Sequence, residues 1–422
     1  MKLLGIITEY NPFHNGHLYH LKKSREKVAA DGIICIMNGN FVQRGLPALL
    51  DKWSRTRMAI ENGVDLVIEL PLIYGIRSAE YFALGAIQLL SATRLVDSLV
   101  FGSESGEIDY LLTIARVLSQ ESPYFQQQIK KYLTKGLSFP RARESALIDL
   151  LRVDSNYRTK EILKIKDIIG EPNNILGIEY IKAILQTAAS IKPVTIKRSS
   201  KNYHQKELSG KYASATAIRE KIAQDQLRQV KAYLPPSSWK ILCEAAKQGK
   251  IVTGNSNLGI MVLTRLRQMK TEEVKAYHEI DHGLENRISK AARYAGDLSQ
   301  LITQIKSKAV TWTRVQRNLL HILFGLTAKE FKEMTGHGIQ YLRILGFNKK
   351  GEKILGELSK RTNVPIIVQP ADFLNEIELN HPDPLIKSLS YDLLASDLYT
   401  LCYPELSARK GHLDFSIPVI KN

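Results

Sequence analysis

Four short apolar runs, KLLGIIT (2–8), GIICIM (32–37), DLVIEL (65–70) and SLVFG (98–102), alternate with longer amphipathic stretches across the first hundred residues. Runs that are apolar throughout, rather than at every second position, suit strands buried on both faces. The stretches between them, HLYHLKKSREKVA, KWSRTRMAIENG and SAEYFALGAIQLLSAT, carry apolar residues at helical spacing, and the second closes on Asn62-Gly63 as a helix C-cap. Strands alternating with helices demand right-handed crossovers. The predicted fold class is α/β: a doubly wound, parallel, Rossmann-like sheet.

After Gly102 the pattern turns mainly helical to about residue 187, and IKPVTIK (191–197) then supplies one more strand that the sheet is expected to recruit. Residues 198–213, RSSKNYHQKELSGKYA, read as a polar basic loop, and SATAIREKIAQ follows with Ser214 or Thr216 suited to cap a helix. From about 226 to 335 the chain reads as helix almost throughout. The remainder, with YLRILGF, GEKILGELSKR, VPIIVQ and a closing helix, reads as a small α/β segment. The expected division is a catalytic domain over 1–225, a helical and basic region over 226–335, and a C-terminal α/β segment over 336–422.

The charge bears on partners: 59 Lys and Arg against 42 Asp and Glu leave +17, which favours a polyanion such as nucleic acid. No apolar run approaches the ~20 residues of a membrane helix, and the N-terminus lacks the pattern of a signal peptide, so a cytoplasmic protein without membrane contact is expected. Cys35, Cys243 and Cys402 are far apart, which argues against a disulfide framework or a zinc site with closely paired ligands.

A nucleotide site in a doubly wound sheet belongs at the carboxyl ends of the strands, where helix N-termini turn unpaired N–H groups outward. The stretch YNPFHNGHL (10–18) lies there, after the first strand and at the opening of the first helix. Gly16 permits close backbone approach, so a triphosphate can sit on that helix start with His14 and His17 beside it. No GxxxxGK[ST] sequence occurs, which disfavours the P-loop route. A second helix start, SATAIR (214–219), offers hydroxyls, backbone N–H groups and Arg219 for other phosphates.

The order strand, H-x-G-H, helix, and much later a Ser/Thr-rich turn ending in Ile-Arg resembles the nucleotidylyltransferase superfamily. Together, GIITEYNPFHNGHLYHL, MNGNFVQRGLPALLDKWSRTRMAIENGVDLVIELP, FGSESG, PNNILGIEYIKA and SATAIR resemble the bacterial tRNA(Met) cytidine acetate ligase family, over roughly residues 1–220. The resemblance implies an enzyme that activates acetate with ATP to acetyl-adenylate. It then passes the acetyl group to N4 of the wobble cytidine of elongator tRNA(Met), giving N4-acetylcytidine. A small-molecule adenylyltransferase or carboxylate–amine ligase of the same superfamily, or a non-catalytic RNA-binding protein, are the alternatives.

Under that resemblance His14 and His17 are the catalytic residues, stabilising charge on the phosphoryl oxygens rather than acting as bases. The ATP site would take Ile7, Thr8, Glu9, Tyr10, Asn11, Pro12, Phe13, Asn15, Gly16, Leu18, Tyr19 and His20 from the first strand and helix, with Gly102, Asn173, Arg198, Ser214, Thr216 and Arg219 from later segments. Either Asn173 contacts the nucleotide and Asn174 caps a helix, or the reverse. Gln43 and Arg44 are candidates for the acetate carboxylate or the tRNA end. For Lys52, beside Asp51 and Arg55, a salt-bridged helix face is the expectation. The tRNA backbone is assigned to Lys197, Lys201, Lys206, Lys211, Arg314 and Arg317. Magnesium is expected to arrive with ATP, and no acidic cluster marks a protein-built cage, so no metal ligand is named.

Overall fold

The computed structural model describes residues 1–153, 157–198 and 212–422. Its strands are β1 (Leu3–Thr8), β2 (Gly32–Asn38), the hairpin β3 (Phe41–Val42) and β4 (Leu46–Pro47), β5 (Leu66–Leu70), β6 (Val96–Ser103), β7 (Lys192–Lys197), β8 (Leu342–Phe347), β9 (Ile366–Ile367) and β10 (Ile420–Lys421). The main sheet runs β10-β8-β5-β2-β1-β6-β7, with β9 added beside β8. Strands β5, β2, β1, β6 and β7 are mutually parallel, and β7 is the strand expected at 191–197.

The apolar runs are buried on both faces because helices cover both. Along β2, Ile34 and Ile36 enter one core with Phe82, Ala86 and Leu90 of helix Ala79–Ala92, while Ile33, Cys35 and Met37 enter the other with Leu21 of helix Asn15–Val28 and Met58 of helix Lys52–Glu61. This is period-2 alternation with no polar side, so periodicity is hidden in the sequence.

Two features differ from the expectations drawn from the sequence. Strand β8 lies antiparallel to β5, so YLRILGF extends the N-terminal sheet, and β10 joins β8 from near the end of the chain. Lys52 is not on a solvated helix face. It is fully buried, 2.9 Å from Glu69 and 2.8 Å from Asp414, and Arg343 reaches Asp414 at 3.3 Å. Arg55 is buried as well and donates to the carbonyls of Leu50, Glu9, Asn38 and Gly39. This hub fastens the C-terminal segment under the sheet edge.

Strand order reverses at β1: the chain moves outward to β2 on one side and β6 on the other, and this switch point is where an α/β crevice forms. No described helix is long and apolar enough to cross a membrane.

Candidate active site

Beyond the carboxyl ends of β1, β6 and β7 lies a cavity of about 320 Å³. Its floor is the turn after β1. His14 is the N-cap of helix Asn15–Val28, and its Nδ1 accepts the Gly16 N–H at 3.0 Å. The His14 N–H in turn faces His17 Nδ1 at 3.3 Å, and the two rings stack with centroids 3.8 Å apart. A ring nitrogen that accepts carries no proton, so the His14 proton belongs on Nε2.

Burial, reinforced by the Arg198 and Arg219 charges, pushes the His14 pKa down to about 3. Burial and the His14 neighbour hold His17 well below the usual histidine range. His20, also lining the cavity, is pushed down to about 4 by burial and Arg198. The imidazoles are therefore neutral hydrogen-bond donors near pH 7, not imidazolium charges. Gly16 has a reason the motif alone does not reveal: a Cβ there would stand 2.8 Å from His14 Cε1. The glycine keeps the His14 ring in its capping position.

The opposite wall is the start of helix Ala215–Ala223. Ser214 caps it, accepting from Ala217 N at 3.1 Å, and Arg219 donates to the Asn11 carbonyl at 2.7 Å and to Thr216 Oγ1 at 3.2 Å. Arg219 thereby ties the two helix starts to each other. The Asn11 side chain accepts from Leu49 N at 2.8 Å, which anchors the turn.

The loop after β6 resolves the two asparagines geometrically. Asn174 is buried, accepts from Glu104 N and Ser105 N at 2.9 and 3.2 Å, and donates to the Ile168 carbonyl at 2.9 Å. Glu104 answers by accepting from Asn173 N and Asn174 N at 3.2 and 2.8 Å, capping helix Pro172–Gln186. Asn173 lines the cavity instead, with Arg198 Nη1 at 3.4 Å from its Oδ1, and Gly102 lines it beside the Arg198 stem.

Of the sequence-predicted ATP residues, the cavity brings together Ile7, Thr8, Glu9, Tyr10, Asn11, His14, Gly16, His17, Tyr19, His20, Gly102, Asn173, Arg198, Ser214, Thr216 and Arg219. Four stand outside the lining. Phe13 is fully buried against Tyr10 and His17, Asn15 donates outward to the Ala232 carbonyl at 2.9 Å, Leu18 packs in the core of that side, and Pro12 is not among the lining residues. For Asn15 and Leu18 the physical reason is helical geometry, since a helix that starts at Asn15 presents only some of its successive residues to any one side; Pro12 and Phe13 belong to the turn before it, where Phe13 points into the core.

Lys197, assigned to tRNA, lines this cavity, whereas Arg314 donates to the Glu279 carbonyl at 2.7 Å and faces Asp281 at 3.4 Å. Lys201, Lys206 and Lys211 lie outside the described residues.

The apolar wall escaped sequence reasoning. Val42, Leu46 and Pro47 of the hairpin, Phe82 of helix Ala79–Ala92, and Phe101, Leu176 and Tyr180 complete the cavity with Gln43 and Arg44. Each reads locally as ordinary core. Glu9, the acidic side chain in the lining, accepts from Gln43 N at 2.9 Å. Among the described residues no group of three or more His, Cys, Asp or Glu is placed to hold a metal.

A doubly wound sheet with an H-x-G-H helix start facing a second helix start defines a nucleotidyl-transferring class of protein. The HIGH Nucleotidyl Transferase family model matches residues 1–414, and the chain belongs to that family. It is 52% identical to the tRNA(Met) cytidine acetate ligase of Halothermothrix orenii and 41% identical to that of Acetivibrio thermocellus, with 100% of each chain covered. Thermotoga maritima TmcAL superposes with a TM-score of 0.92 in its apo form and 0.90 bound with alpha-thio ATP, at 35% identity over 100% of this chain and 99% of that one. Within the larger class, the chain belongs to the tRNA(Met) cytidine acetate ligase family.

Proposed function

We propose that the protein is an ATP-dependent ligase that activates acetate as acetyl-adenylate and acetylates N4 of the wobble cytidine of elongator tRNA(Met). The observation that carries this reading is the pairing of two helix starts across one cavity, with neutral His14 and His17 on one side and Ser214, Thr216 and Arg219 on the other. The names of the full-length relatives and the alpha-thio ATP bound by the Thermotoga protein support it.

In the first step an acetate oxygen attacks the α-phosphorus in line and the bond to pyrophosphate breaks. No protein nucleophile is required; the protein positions the reactants and stabilises charge. His14, donating from Nε2, and His17 serve the phosphoryl oxygens as they gain charge. Arg198 and Arg219 serve the departing pyrophosphate, where an arginine fork fits phosphate oxygens. In the second step the cytidine N4 attacks the acetyl carbonyl carbon, the bond to AMP breaks, and one amine proton leaves.

Gly102 and Asn173 sit where the nucleoside would lie, and the acetate methyl group finds apolar surface on Val42, Leu46 and Phe82, with Gln43 and Arg44 near its carboxylate. The described residues do not build a resident cage for Mg²⁺; Glu9 is already bonded to the Gln43 backbone. The ion would accompany the nucleotide. Lys197, Lys201, Lys206, Lys211, Arg314 and Arg317 are assigned to the tRNA backbone, and the reaction to the cytoplasm.

The test is to incubate the protein with ATP, labelled acetate and either elongator or initiator tRNA(Met). Label on the elongator species alone supports the ligase. Absence of acetate-dependent ATP–pyrophosphate exchange refutes adenylation.

A further inference from the structure

A second concentration of buried positive charge lies behind the hairpin that borders the ATP cavity. Arg77 is completely buried; its guanidinium carbon sits 3.5 Å over the centre of the Phe331 ring and 5.2 Å from that of Tyr81. Stacking satisfies the faces of a guanidinium but none of its N–H groups, and the Arg77 Nε, Nη1 and Nη2 atoms all lack a hydrogen-bond partner.

Arg317 Nε likewise lacks a hydrogen-bond partner. On the acceptor side, Asn318 Oδ1 is unpartnered, and so is His321 Nδ1, because the His321 Nε2 donates to the Ile76 carbonyl at 3.0 Å and carries the ring proton. The carboxylates facing the cluster are Glu279, 3.9 Å from Arg314 Nε and 3.8 Å from His278 Nδ1, and Asp281 at 3.4 Å from Arg314. Three arginines thus face two carboxylates, and the histidines add no compensating negative charge.

Burying donors without acceptors costs the whole of their hydration, so a fold that concentrates them is arranged for an anion rather than for stability. The cluster reaches the surface through the side chains of His278, Glu279 and Arg314, which are about a quarter exposed, while Arg77 is fully buried. It also touches the ATP site. Gln43 lines the cavity while its Nε2 donates to the Arg77 carbonyl at 3.0 Å, and a Cβ on Gly45 would stand 2.6 Å from Arg317 N, so the hairpin lies directly on helix Trp312–Phe324.

We infer that Arg77, Arg314, Arg317 and His278 form a docking site for a phosphodiester group of the RNA substrate, placed across the β3–β4 hairpin from the ATP cavity. The inference rests on the RNA-modifying function proposed above. A strand anchored there lies one hairpin away from the adenylate, so the contact orients the reacting nucleotide as well as adding affinity.

The experiment uses the full chain with elongator tRNA(Met). Binding is measured over a salt series for the wild type, Arg317→Gln and Arg77→Met, with acetate-dependent ATP–pyrophosphate exchange followed without tRNA. For Arg317→Gln we expect roughly tenfold weaker binding and a salt slope smaller by about 0.7–0.9, the value of one lost phosphate contact. The loss in tRNA acetylation should exceed any loss in exchange by about the same tenfold.

Should Arg77→Met not fold, the half-buried Arg317 variant carries the test alone. An unchanged salt slope in Arg317→Gln overturns the site. So does displacement of tRNA by millimolar inorganic phosphate to the same extent in wild type and variant, because the cluster then is not where the RNA phosphate binds. Absence of exchange in the wild type refutes the proposed reaction instead, a distinct outcome.

Discussion

Two clusters of ionisable side chains in this protein behave as opposites. Around Lys52, two cations and two anions are matched within 3.3 Å, with Lys52 between Glu69 and Asp414 and Arg343 on Asp414. Around His14 and His17, Arg198 and Arg219 stand beside neutral rings, and the whole group borders a cavity of about 320 Å³. Buried charge by itself therefore says little about function. What separates the clusters is that the first is closed inside the packed core while the second borders open volume. Charge closed in the interior holds the chain together; charge and neutral donors that face open volume mark a site.

The largest expected effect breaks the structural side of that comparison. Lys52→Met leaves Glu69 and Asp414 buried beside each other without their shared cation, and should lower unfolding free energy by about 3–5 kcal/mol. Denaturant titration checks it, and an unaltered midpoint would mean that the hub is not stabilising. On the other side, His14→Ala should reduce acetate-dependent ATP–pyrophosphate exchange ~10²-fold or more while leaving the melting temperature nearly in place. Wild-type exchange in that variant would remove His14 from the chemistry.

Gly16→Ala sharpens the contrast, because alanine in a helix is favoured by about 1 kcal/mol over glycine yet its Cβ would press on the His14 ring at 2.8 Å. We expect roughly tenfold slower exchange without a matching loss of stability; equal losses in both would show that Gly16 only serves the fold.

The last effect concerns acid and needs no substitution. His14, at about 3, and His20, at about 4, have folded-state pKa values below the ordinary value of 6.5, so the unfolded chain binds more protons between those limits. Stability is therefore intact above pH 6.5 and declines as pH falls from there toward 4 and 3. Melting temperature measured from pH 8 to 4.5 should fall only below about 6.5. An inflection near 6.5 in the exchange rate of the unliganded enzyme would contradict neutral catalytic histidines.

Much of this was legible in the amino-acid order. The apolar runs announced buried strands, IKPVTIK a fifth parallel strand, and H-x-G-H with SATAIR the two helix starts, because each depends on neighbours within a turn or a strand's length. Other features had no local signal. YLRILGF read as a strand, but its antiparallel place beside β5 depends on a partner far upstream. Lys52 read as a surface cation because Asp414, which neutralises it, lies near the other end of the chain. Phe82 and Tyr180 read as core because the same apolar pattern serves a packed interior and a cavity wall.

The sequence by itself determined the α/β class, the position of the nucleotide-facing helix starts and the residues able to meet phosphate. Only the tertiary structure decided that Asn173 rather than Asn174 faces the cavity, that Gly16 makes room for an imidazole, and which buried arginines lack partners. Backbone conformation and hydrophobic period are short-range properties written in consecutive residues. Electrostatic balance inside a protein is a sum over groups that folding brings within a few ångströms, and no stretch of sequence contains that sum.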